Sequence, residues 1–175
     1  LNEYASAVAL MGNYLANQQK TAEAQTYYQQ ATDLLAESKR LDPNYPDTAL
    51  RQGEVLRLQG NTAAAVDTYL ALLKVNPHAL DNQASQLADG LRSQPDQLRR
   101  LRDAYAEIVA QNPKDGTLQS FVGIMSVRLD DMPRAVDAFA QWTTLQPQNI
   151  EARRNYTLVL SRVGGTDDVS IGTAV

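Results

Sequence analysis

Catalysis by side chains needs acids, bases or nucleophiles that converge on one point, and this sequence supplies few of them. Its single histidine, His78, directly follows Pro77 and reads as a surface turn residue. One histidine in a chain without cysteine makes no tetrahedral metal site. The adjacent carboxylates Asp130-Asp131 and Asp167-Asp168 sit where helices begin. There they cap backbone N–H groups and complement the helix dipole, which is structural work. Neither a Gly-x4-Gly-Lys-Ser/Thr loop nor a Gly-x-Gly-x2-Gly loop occurs, so no known phosphate cradle is written in the chain. The expectation is no catalytic residue, no cofactor and no metal: a protein that binds rather than converts.

The bulk composition narrows the partners. The 175 residues carry a net charge of −4, with 43% hydrophobic and 21% charged residues. That balance is ordinary for a globular protein. Its acidity argues against a phosphate-backbone binder, which needs a basic face. Tyr27-Tyr28 and Trp142 could stack on bases, but their helical spacing places Tyr28 and Trp142 on packing stripes. No apolar run approaches the roughly 18 residues of a membrane span, and no signal-peptide layout opens the chain. Neither feature fixes the compartment, cytoplasmic or periplasmic. The start at Leu1 reads as a fragment or processed product, with an anchor or further module lying outside it.

The elements that would position any site repeat. Prolines 43, 77, 113 and 147 are 34, 36 and 34 residues apart. Gly53, Ala65, Tyr69 and Pro77 recur at identical spacing as Gly123, Ala135, Phe139 and Pro147. Gly12, Ala24 and Tyr28 keep the start of the pattern, with Pro43 about seven residues late. Asp89, Leu101, Tyr105 and Pro113 keep it with two substitutions. A period near 34 marks a stacked array of helix pairs, whose working surface is extended rather than a catalytic pocket.

Local signals set the helix limits. Helices are expected over 46–58 and 62–75, with Gly60 as C-cap and Asn61 as N-cap between them. The fourth segment should repeat this from 116 to 129, with Asp131 capping the next helix and Pro133 in its first turn. A late Pro43 predicts a long helix over 21–41, because seven extra residues are close to two turns. The third segment is degenerate, broken at Pro95-Asp96. A final helix over 149–163 should cap the array, and Gly164-Gly165 should stop it. Residues 164–175 then form a tail in which Val169, Ile171 and Val175 need a surface to pack on, either this array or a neighbouring molecule.

The pattern Gly-x11-Ala-x3-aromatic-x7-Pro resembles the tetratricopeptide-repeat family. The resemblance covers roughly residues 3–163, with repeats near 3–43, 46–77, 79–113 and 116–147 and a capping helix at 149–163. It implies an all-α, right-handed superhelical solenoid of antiparallel helix pairs, used to bind peptides or partner proteins. The first helix of each pair would line a concave groove. Projecting those helices selects Asn13 and Asn17, then Arg51, Glu54 and Arg57, then Gln86 and Gln94. It also selects Phe121, Ile124 and Arg128, and from the capping helix Arg154, Asn155 and Arg162. Arginine forks and amides suit a peptide backbone or its carboxylates. Chaperone-binding members hold a terminal carboxylate with a Lys/Asn/Arg clamp. Only Asn13 matches it here, since Ala9, Arg51, Gln83 and Leu87 occupy the other places. The reading is an interaction scaffold that captures an extended peptide or partner helix. One alternative is a regulatory or assembly domain of a larger bacterial enzyme, such as a membrane-bound glycan ligase or glycosyltransferase. Another is self-assembly through the first repeat or the tail.

Overall fold

A left-handed residue turns the chain between the helices of three pairs. Gln19, Gly60 and Asp130 have φ of 64°, 80° and 59°, each seven residues after Gly12, Gly53 and Gly123. The first pair is α1 (Asn2–Asn17) with α2 (Thr21–Leu41). The second is α3 (Pro46–Leu58) with α4 (Thr62–Val75). After α5 (Ala84–Gly90) and α6 (Pro95–Gln111) comes the pair α7 (Gly116–Arg128) with α8 (Met132–Leu145). Last is α9 (Ile150–Ile171). The computed structural model describes the backbone of residues 1–43 and 45–171, and side chains for 1–43 and 45–164. Nine helices and no strand occur among the described residues. The fold is an all-α repeat of helix pairs. None of these helices is long and apolar enough to cross a membrane.

The caps follow the sequence. Asn61 accepts a hydrogen bond from the Ala64 N–H at 3.4 Å, and Asp115 accepts one from Leu118 at 3.0 Å. Asp131 does the same for Arg134 at 3.4 Å. Each quiets one of the orphan donors of a first turn.

Close approach within each pair depends on a missing side chain. A Cβ at Gly12 would lie 2.9 Å from the Tyr28 ring. One at Gly53 or Gly123 would overlap the Tyr69 or Phe139 ring outright. All three rings are buried. The glycine therefore forms a slot for the aromatic ring sixteen residues later.

The contacts of the chain form two compact units, one from Leu1 to Leu80 and one beginning at Asp81. In the first, Ala5, Val8 and Ala9 of α1 pack with Ala31 and Leu35 of α2 and Val55 of α3. A polar knot sits beside that core. Asn2 donates to Asp47 at 2.9 Å and to Thr48 at 3.1 Å, and Ser38 shares a 3.2 Å hydrogen bond with Thr48. In the second unit Ala135, Phe139 and Trp142 pack with Ala152 and Val159. Phe139 and Trp142 are tilted at 40°, with centroids 6.1 Å apart.

Two expectations change. α9 does not stop at Val163; it runs through Gly164-Gly165 to Ile171. Glycine lowers helix stability by about 1 kcal/mol per residue but forbids nothing in the helical region. Of the expected tail, the side chains of Val169 and Ile171 and all of Val175 lie outside the described residues. The third segment is also not a close pair, because α5 is one short helix that packs mainly on α7.

Candidate functional site

The residues expected to line one groove fall on both units, so each set stands by itself. In the first unit α1 and α3 border a cleft of about 230 Å³. Ser6, Ala9 and Leu10 form one side; Arg51, Glu54, Val55, Arg57 and Leu58 form the other. Spacing explains the second wall, since residues 51, 54, 55 and 58 lie three and four apart on one helix face. Arg51, Glu54 and Arg57 thus come together along one wall of this cleft. Asn13 and Asn17 do not border this cleft: Asn13 is half-buried and Asn17 exposed near the end of α1.

The cleft has an apolar floor and a charged rim. Arg51 donates to Glu54 at 3.1 Å and lies 3.2 Å from the Asp47 carboxylate. Burial opposes the Arg51 charge, but Glu54 and Asp47 outweigh it and hold its pKa above the ordinary value. The Ser6 hydroxyl is buried without a hydrogen-bond partner, whereas Arg51 Nε, also buried, is met by the Asp47 carboxylate. Both belong to residues bordering the cleft. A buried hydroxyl such as that of Ser6 costs stability unless a partner meets it. Beneath the wall, burial pushes the Tyr69 phenol up to about 12, with the Arg57 charge working the other way.

The second unit sorts its candidates differently. Phe121 is 6% exposed and tilts at 59° on Tyr105, centroids 5.3 Å apart. It is a core residue rather than a groove residue. Ile124 is half-buried against the cluster of Ala135, Phe139 and Trp142. The sequence reading gave α7 one packing side, but α7 packs on two: α5 and α6 cover one, α8 the other. Arg128 is held by Asp89 in a charge-assisted hydrogen bond. Arg154 is exposed, 3.7 Å from Glu151. Asn155 donates to the Glu151 carbonyl of its own helix at 2.8 Å. Gln86 is exposed on α5, and Gln94 is the residue that opens α6. His78 stands in a turn whose backbone N–H donates to the Asn76 side chain at 3.0 Å. Among the described residues no group of three metal-ligating side chains assembles.

One cluster escaped the sequence reading. Arg102 is 6% exposed and pairs with Asp103 at 2.7 Å and Asp131 at 2.8 Å. Arg134 reaches the same Asp103 at 3.1 Å. Arg102 stands thirteen residues after Asp89, the place that Val66 and Val136 hold in the neighbouring repeats. A charge in an aliphatic position was the available signal. Its partner on another helix, Asp131, was not readable from spacing.

Slot glycines, buried rings and left-handed turns recurring over helix pairs define a class, the helical-repeat binding proteins. Residues 9–84 match the family model of the tetratricopeptide repeat, in keeping with the repeat pattern of the sequence. The chain is also similar to a solved structure, MamA AMB-1 P212121, at 17% identity and a TM-score of 0.47. That likeness covers 100% of this chain and 96% of the other. A search of curated proteins finds no match.

Proposed function

We propose that this protein is a non-catalytic interaction scaffold and that its α1/α3 cleft holds an extended peptide. The supporting observation is the coincidence of an apolar floor with the unsatisfied buried hydroxyl of Ser6 and the charged Arg51 across from it. Val55 and Leu58 offer surface to an apolar side chain of the peptide, and Ser6 and Arg51 offer hydrogen bonds to its backbone. Arg57 on the rim favours a carboxylate beside that side chain. The volume accommodates one or two side chains, so specificity would come from a short motif. Selection of peptides from a random display library on the immobilised protein tests this. The enriched peptides should share an apolar residue next to an acidic one. Their affinity should fall about tenfold or more for Arg57→Glu. Enriched peptides that bind Arg57→Glu equally well would place the binding surface elsewhere.

A further inference from the structure

α1 carries an apolar stripe on the surface of its unit. Tyr4, Met11 and Tyr14 are 61%, 46% and 59% exposed, and Ala7 between them is exposed too. At 100° per residue the four lie within about 80° of arc on one helix face. Leu1 and Leu10, also exposed, flank them. The corresponding face of α7 is a packing face. Counted from Gly12 and Gly123, Ala7, Met11 and Tyr14 correspond to Leu118, Val122 and Met125, and all three are buried. A contiguous exposed patch of this kind marks an interaction site.

We propose that the stripe pairs with the same stripe of a second copy of this chain. The two α1 helices run antiparallel about a two-fold axis beside residue 9. Positions 4, 7, 11 and 14 read the same in both directions, in steps of three, four and three. Reversal sets Tyr4 against Tyr14 of the second copy, ring against ring. It sets Ala7 against Met11, short against long. A two-fold contact requires this self-complementarity, and an arbitrary partner would not. Charge does not oppose it, because Glu3 is the one charged side chain of α1. The antiparallel arrangement keeps the two Glu3 residues about 18 Å apart along the helix axis. The stripe with its flanking leucines exposes roughly 500 Å² per copy, so pairing buries about 1,000 Å², the lower limit for a specific interface. The dimer is therefore a weak one that dissociates on dilution.

Sedimentation velocity of the 175-residue chain from about 1 µM to several hundred µM tests the proposal. The expected result is a rise from monomer to dimer with concentration. Tyr14→Glu and, separately, Met11→Glu should remain monomeric at the top of the range with unchanged helical circular dichroism. Arg57→Glu, in the peptide cleft, should dimerise like the native chain, so failure of the peptide reading leaves this result intact. The absence of cysteine permits a second readout. On oxidation, a mixture of Ala7→Cys and Met11→Cys should give the mixed cross-link in excess over either homodimer. A chain that stays monomeric throughout, a dimer unaffected by both glutamates, or homodimeric cross-links in excess would each overturn the proposal.

Discussion

The α7/α8 pair and the α5/α6 segment differ first at one position, and the difference shows what a repeat in this protein is made of. In the first, Gly123 leaves room for the Phe139 ring, and the two helices close on each other. In the second, Asp89 stands where that glycine would be, sixteen residues before Tyr105. A Cβ there blocks the slot. Tyr105 packs on Phe121 of α7 instead, and α5 is only seven residues long. Asp89 turns outward to Arg128. The position filled by buried Val66 and half-buried Val136 elsewhere holds Arg102, neutralised by Asp103 and Asp131. Substituted at its slot, the segment docks on a neighbour and ties itself down with charge.

Moving the aspartate into the intact pair should break it. Gly123→Asp places both a Cβ and a carboxylate beneath a buried ring, and a loss above about 3 kcal/mol is expected. Urea unfolding followed by the fluorescence of Trp142, the sole tryptophan, reads this in the affected unit. An intact unfolding midpoint would deny the slot its role.

Next in size is an alkaline effect in the other intact pair. Tyr69 has its phenol pushed up to about 12 by burial, while an unfolded tyrosine ionises near 10. The folded state thus holds this proton more tightly. The associated stability is fully present below pH 10 and is lost as pH rises towards 12, by roughly 2–3 kcal/mol. Denaturation midpoints of the native chain should fall across that window. Those of Tyr69→Phe should fall less steeply, and equal slopes would remove Tyr69 as the source.

The reciprocal substitution should do little. Asp89→Ala removes a half-exposed ion pair with Arg128, which contributes about 0–1 kcal/mol. A larger loss in urea unfolding would mean that Asp89 organises α5 rather than merely tolerating its own position.

Smallest is a gain. Gln19 holds a φ of 64° at the turn where the next pair has Gly60. Gln19→Gly should stabilise the first unit by about 0.5–1 kcal/mol, visible as a raised melting midpoint. A lowered midpoint would show that the Gln19 side chain matters more than its backbone.

The intact pairs were legible because their determinants are local and periodic. Pro46–Leu58 and Thr62–Val75 coincide with the helices expected from Gly60, Asn61 and the apolar stripes. The second face of α7 was not legible, since nothing in residues 116–128 states that α5 and α6 will cover Phe121. Nor was the continuation of α9 through Gly164-Gly165, where a stop signal is a preference and not a rule. In the candidate cleft, Arg51, Glu54 and Arg57 followed from helical projection. Ser6 and Leu10 did not, because they depend on how α1 meets α3.

α2 is seven residues longer than α4, and its buried positions 24, 28, 31 and 35 keep their register, with Ser38 still reaching Thr48. Seven residues return a helix to within about 20° of its starting orientation, whereas five would swing it by about 140°. The length of a helix in this chain is thus geared: lineages or engineers can add nearly whole turns, such as a heptad or about eleven residues, without rewriting the core, whereas increments such as two or five turn the apolar side to water. Natural variation in these helices should come in near-whole turns, about four, seven or eleven residues, with other increments confined to the turns.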